Sequence, residues 1–332
     1  MKTIYFIINN NSTHKNIVNS GGGASELLFY LTAYKLSFIY NIIIINRYKT
    51  ELIDNIQYVY ADDITNPYIK NENSTIVVQR SFNILIDIHK RNPSNKYILW
   101  SHDYLNDNIP HLAGNYQLTE INDYFKTNNI SVVSVSNFHK QNTHDIMPDI
   151  NIIPIYNAVF PEYYPKQMTS EYDKNTIIFA SNWGKGINKI LRIGDEYSKI
   201  NKEFKLVMLK PSYCDWQPDF TKYSFIKCIG NITNKDEYCE LIQTALCVLT
   251  TSYPETFGCV FSEALHLGVP VVGDNSVKAG FHEIIHSEYM CNFNNPIEVI
   301  TKIQELYDNR PSILLDECFY ETAVIKEWTK IL

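Results

Sequence analysis

Residues 254–270 read PETFGCVFSEALHLGVP, and they constrain the fold more than any other stretch of the chain. A strand-like run, Ala245 to Thr250, comes before them, and a polar turn, Thr251 to Pro254, leads in. Val260, Phe261, Ala264, Leu265 and Leu267 then keep a helical period until Gly268, and Val269 to Val272 begins the next buried strand. A helix starting near Gly258 points backbone N–H groups and a partial positive charge back into the turn. A phosphate suits such an end, and Gly258 lets a ligand come close to the backbone. Glu255 lies in the loop, and Glu263 lies about one and a half turns inside the helix. Carboxylates accept hydrogen bonds from hydroxyls, so this pair can bracket a ligand as long as a nucleotide sugar. A plain strand–loop–helix unit with two solvated glutamates meets the same spacing.

The setting of the two glutamates narrows the choice. Glu255 and Glu263, with PETFG around the first, SEAL around the second and Gly268-x-Pro270-Val271-Val272 behind them, resemble the signature of retaining GT-B glycosyltransferases of the family-4 type, the glycosyl transferases group 1. The resemblance runs from about Ile4 to Val272 and beyond. It implies an α/β protein with two Rossmann-like, doubly wound parallel-sheet domains facing a central cleft. The expected layout is an acceptor-binding domain over residues 1–160, a nucleotide-sugar-binding domain over 161–310, and a C-terminal helix over 311–332 that crosses back to the first domain.

Length and composition agree with this outline. A chain of 332 residues is long enough for two domains. Hydrophobic residues make up 45% and charged residues 20%, as in an ordinary globular protein. A net charge of −7 opposes nucleic-acid binding. The seven cysteines all fall in the second half, with no Cys-x-x-Cys, and read as reduced intracellular thiols rather than a disulfide frame or zinc site. The N-terminus reads as lacking a secretory signal, and no apolar run approaches the roughly 18 residues of a membrane helix, so a cytoplasmic location is expected.

In the first half, Thr3 to Ile8 reads as a buried parallel strand, followed by a polar loop to Ser20, the glycines Gly21, Gly22 and Gly23, and a helix from Ala24 to Leu36. This is neither G-x-G-x-x-G nor a P-loop. In the family such a loop lies across the donor, which implicates Gly21, Gly22, Gly23 and Glu26. Further strands are expected at 42–46, 56–60, 76–79, 97–101 and 131–136, with a helix over Phe82–Arg91. Such alternation gives a parallel sheet, with function at the carboxyl ends of its strands. One strand ends at His102, where family members carry a histidine near the sugar and diphosphate; a neutral imidazole there can donate to a phosphate or sugar oxygen. Ser136 reads as a helix cap. The basic cluster His89, Lys90, Arg91 and Lys96 sits at a helix end that favours cations, so the support for a membrane contact is slight.

The stretch Ile152–Phe160 resembles the family's close of the first domain, with Ala158 in place of its usual glycine, and Pro161–Lys174 reads as the linker. A strand over Thr176–Ala180 leads into Ser181-Asn182-Trp183-Gly184-Lys185-Gly186 and a helix over Ile187–Ile200. The family neutralises the donor diphosphate here with an Arg and a Lys; Lys185 fits the second, but residues 180–183 contain no Arg, which leaves the clamp half-built. Gly230 and Asn231 correspond to the turn beside the nucleotide base. A closing helix is expected over Leu314–Ile331.

The roles implied are these. Glu255, His102 and Lys185 carry catalysis. Glu263 takes the ribose diol. Thr256 and the backbone of Phe257, Gly258 and Cys259 hold the diphosphate, with Ser181, Gly22, Gly23, Gly230 and Asn231 around the donor. No metal or other cofactor is expected: Asp-x-Asp, which holds a cation in the other large glycosyltransferase fold, is missing from the chain. The partners are a nucleotide sugar and a glycan, lipid or protein-linked acceptor hydroxyl. An inactive nucleotide-sugar binder and a nucleotide-sugar epimerase of the same fold remain the other readings.

Overall fold

A computed structural model describes residues 1–20, 23–70, 73–106, 110–166, 171–209, 219–230 and 232–332. Gly21, Gly22, Cys214, Asn231 and part of the linker, 167–170, lie outside the described residues. The chain divides into two compact units. The first comprises Met1–Val18, Gly22–Ala158 and Glu321–Leu332; the second comprises Asn19–Gly21 and Val159–Tyr320.

The first unit opens with strand β1 (Thr3–Ile7), helix α1 (His14–Ser20) and helix α2 (Ala24–Leu36). It continues with β2 (Asn41–Asn46), β3 (Glu51–Ile53), β4 (Ile56–Tyr60), β5 (Thr75–Gln79), α3 (Phe82–Arg91) and β6 (Lys96–Trp100). Then come α4 (Pro110–Ala113), α5 (Leu118–Thr127), β7 (Ser131–Ser134), α6 (Asn137–Ile146) and β8 (Asn151–Pro154). The strands form one sheet in the order β3-β4-β2-β1-β5-β6-β7-β8, parallel throughout except for the β3–β4 pair. The short antiparallel β3 corrects the expectation of a wholly parallel sheet, and α1 corrects the expectation of a loop from Asn9 to Ser20. Neither segment has the apolar period that reveals longer elements.

Burial on both faces explains the apolar runs of the central strands: Ile4–Ile7 and Ile76–Val78 are almost wholly inaccessible. Ser136 caps α6, its hydroxyl accepting from the His139 N–H at 2.9 Å.

The second unit is built from β9 (Asp173–Phe179), α7 (Ile187–Ile200), β10 (Lys205–Leu209), β11 (Ile226–Ile229), α8 (Lys235–Thr244), β12 (Ala245–Thr250), α9 (Cys259–His266), β13 (Val271–Asp274), β14 (Met290–Cys291) and α10 (Pro296–Asp308). Its sheet runs β11-β10-β9-β12-β13-β14, all parallel. Helix α7 buries Ile187, Ile190, Ile193 and Tyr197, the three-and-four spacing of one helical face. The six residues of β12, at the middle of the sheet, are all buried.

The chain ends in α11 (Glu321–Ile331), which groups with the first unit. The closing helix therefore starts at Glu321, not Leu314: residues 311–316 are irregular and Glu317–Phe319 form a 3₁₀ turn. Trp328 of α11 is fully buried and meets Trp100 of β6 edge to face, ring centres 4.7 Å apart. Lys2 and Lys96 donate to the backbone oxygens of Leu332 and Ile331, matching cations to a helix C-terminus. Removing the indole should leave a cavity beneath β6. Trp328→Ala is expected to destabilise the protein by about 3–5 kcal/mol, read as a fall in denaturation midpoint. A loss under about 1 kcal/mol would mean that α11 is not integral to the unit.

Candidate donor site

In a doubly wound sheet the ligand crevice opens where the strand order reverses. In the second unit that point lies between β9 and β12: β10 and β11 follow on one side, β13 and β14 on the other. The loops leaving β9 and β12 carry Ser181 to Gly186 and Thr251 to Gly258. The two strand ends are joined by their own side chains, since the Ser181 and Ser252 hydroxyls lie 2.9 Å apart. Ser252 in turn donates to Glu255 Oε2 at 3.0 Å, and Lys185 Nζ reaches the same oxygen at 3.1 Å. The fold therefore gathers Ser181, Lys185 and Glu255 into one connected, partly accessible group, with Ser252 as a link that the sequence reading missed.

Two helices begin beside this group, and neither has a side-chain cap: α7 at Gly186 and α9 at Gly258. Their first-turn amides carry the partial positive charge of the helix ends. Gly258 adopts φ +97°, and a Cβ there would stand 2.4 Å from the Phe261 ring, so only glycine fits. Gly280 holds the loop from the other side: its N–H donates to the Glu255 carbonyl at 2.8 Å, and a Cβ would collide with the Thr256 carbonyl at 2.0 Å. Thr256 and Phe257 belong to this loop through their backbone. The Phe257 side chain is core, 5.9 Å from the Phe319 ring centre. Cys259 is the first residue of α9 and is partly buried.

Glu263 sits elsewhere on the same helix. Its carboxylate accepts from Tyr164 at 2.7 Å and from Tyr238 at 2.6 Å. Gly230 follows the edge strand β11, which β10 separates from β9, and is not drawn into the Glu255 group. Gly23 and His102 belong to the first unit. Gly23 precedes α2, close to the Glu26 carboxylate. His102 follows β6, its ring 5.0 Å from that of Trp100. The packing around it pushes the imidazole down to about 3, which keeps it neutral. Arg80, at the end of β5 and in the left-handed region at φ +63°, grips Asp103 through Nε at 2.7 Å and Nη2 at 2.5 Å, with Glu26 at 3.4 Å. In the first unit too, β1 and β5 flank the reversal of strand order, so this ion cluster lies at its switch point.

A buried ion pair underlies these loops. Asp274, wholly buried at the end of β13, accepts from Lys189 at 2.7 Å, Thr251 at 2.6 Å and the Ser276 hydroxyl at 2.6 Å. Lys189 stands in the first turn of α7, where the helix dipole disfavours a cation. A lysine in that position hints at an acidic partner, but nothing in the sequence names Asp274. Burial alone would raise the Asp274 carboxyl, but the hydrogen bonds from Lys189, Ser276 and Thr251 outweigh it and hold the group below its ordinary 3.8. Its contribution to stability is thus complete above pH 3.8 and is lost as pH falls through the lower folded value. Asp274→Asn should cost about 3 kcal/mol at neutral pH. It should also flatten the acid limb of the stability profile, which a denaturation series across pH would show. An unchanged acid limb would contradict this.

Residues 226–321 match the family described as "Glycosyl transferases group 1". No curated protein sequence matches the chain. Among solved structures, sucrose-phosphate synthase from Thermosynechococcus elongatus superposes with a TM-score of 0.70 at 12% identity, covering 100% of this chain and 98% of its own. Anabaena HepE in complex with UDP and glucose gives 0.68 at 13%, covering 100% and 99%. OtsA in its apo form gives 0.71 at 8%, covering 100% and 98%. No helix among the described residues is long and apolar enough to cross a membrane. The chain has the GT-B fold, and its residues 226–321 are similar to the group 1 glycosyl transferases.

Proposed function

We propose that the chain transfers a sugar from a nucleotide-sugar donor to an acceptor hydroxyl, with retention at the anomeric carbon and without a metal. The observation that carries this reading is the group at the switch point of the second unit: Lys185, Glu255, Ser252 and Ser181 hydrogen-bonded together between two uncapped helix N-termini. A diphosphate fits there. Lys185 and the first-turn amides of α9 neutralise it as it leaves, and Glu255 accepts from the transferred sugar's hydroxyls. Glu263 takes the ribose diol. HepE, which shares the fold, was solved with UDP and glucose, and this supports a uridine nucleotide as the donor class.

In this reading the bond from the anomeric carbon to the leaving phosphate breaks on the same face on which the acceptor oxygen attacks. The acceptor proton passes to the departing phosphate oxygen, so no enzymic nucleophile is needed. His102, neutral at working pH, is assigned to hold a sugar or phosphate oxygen by donation. The acceptor is a glycan, lipid or protein-linked hydroxyl, and the free thiols fit the cytoplasm.

A second reading, a nucleotide-sugar binder without turnover, is favoured by one observation, the lack of any Arg at residues 180–183. Thermal shift against UDP-, GDP-, ADP- and TDP-sugars, together with a transfer assay, separates the two. One nucleotide class should raise the midpoint by the equivalent of about 2.7 kcal/mol at a hundredfold excess over Kd. Lys185→Ala should weaken that binding about 10- to 150-fold, the loss of one charged hydrogen bond of about 1.5–3 kcal/mol. A shift without product favours the inactive binder, and product without added acceptor favours an epimerase. No shift with any donor removes the proposal.

A further inference from the structure

Glu263 is only 8% exposed, and both of its oxygens are engaged. The Tyr164 hydroxyl donates to Oε1 and the Tyr238 hydroxyl to Oε2. Burial, and then the facing carboxylate, hold both phenols well above their ordinary value, so they stay protonated and act as donors. Their rings are themselves fixed. Lys235 Nζ stands over both, 4.7 Å from the Tyr164 centroid and 5.2 Å from that of Tyr238. His266, one turn along α9 from Glu263, lies with Nε2 3.1 Å from the Tyr164 carbonyl oxygen. The side chain and backbone of Tyr164 are thus both tied to the helix that carries Glu263.

A carboxylate offers about four lone-pair sites, and the phenols use two of them. A vicinal diol needs two more. Replacing the phenols by ribose hydroxyls would break two charge-assisted hydrogen bonds to make two of the same kind, with no gain. Adding the diol to the sites that remain gains both bonds, and it meets a carboxylate whose rotamer is already set.

We propose that Tyr164 and Tyr238 are positioning residues that aim the Glu263 carboxylate at a vicinal diol and so select ribonucleotides over deoxyribonucleotides. This rests on the reading of Glu263 as the ribose ligand of a nucleotide-sugar site.

Calorimetric titration tests it with UDP, GDP and ADP and the dideoxy form of each, which lacks both ribose hydroxyls. Wild type should prefer the ribose form by about tenfold or more, as expected for a site that would otherwise be left with unmade hydrogen bonds. Tyr164→Phe and Tyr238→Phe should each shrink that preference several-fold while leaving dideoxy binding within about twofold. Equal weakening of both forms would show a purely structural role and overturn the inference. Tighter ribose binding in either variant would show that the phenols compete with the ligand, and would also overturn it. Wild type binding both forms equally removes this inference and leaves the donor site standing. Wild type binding no nucleotide removes the donor site itself. Thermal midpoints check that each variant folds, and Tyr238→Phe, whose ring is the less buried, carries the test if Tyr164→Phe does not fold.

Discussion

The second unit depends on the side-by-side pairing of β9 and β12, two parallel strands far apart in sequence. Their register sets Ile178 beside Val248 and Phe179 beside Leu249, so the chain leaves both strands at the same edge of the sheet. At that edge Ser181 and Ser252 bond to each other, and the loops beyond them carry Lys185 and Glu255. Every other polar feature of the site is fixed relative to this pairing. Without it, Lys185 and Glu255 would be two surface charges, and exposed pairs of that kind contribute about 1 kcal/mol or less.

Charge around the switch point is balanced locally. Lys185 is matched by Glu255 and Lys189 by Asp274. The two pairs differ in setting. Asp274 is wholly buried and met by several donors, which makes it a structural anchor for α7 and the turn at Thr251. Glu255 and its partner Lys185 are both partly accessible, while Ser252 behind them is buried. The first unit repeats the pattern with Arg80, Asp103 and Glu26 at its own reversal of strand order.

Much of this was legible in the sequence. Helices α3 and α7 carry a strong apolar face and strand β12 an unbroken apolar run, and their limits follow from those patterns. The start of α9 was legible because Gly258 must be glycine. The parts that were not legible depend on contacts distant in sequence. Tyr164 lies 99 residues from Glu263, and Lys189 lies 85 from Asp274. No periodicity links such residues. The spacing of Glu263 gave no sign of the two tyrosines that hydrogen-bond to it. Short elements such as α1 and β3, held by tertiary contacts rather than by propensity, were missed for the same reason.

The central claim is that the switch point of the second unit binds a nucleotide diphosphate. Amide hydrogen exchange with and without UDP tests it directly, because the proposed ligands are backbone N–H groups. The account predicts slowed exchange at the amides of 258–262 and 185–189, with the Lys185→Ala variant losing that protection at equal UDP. Protection confined to other segments, or none at saturating UDP, would contradict it.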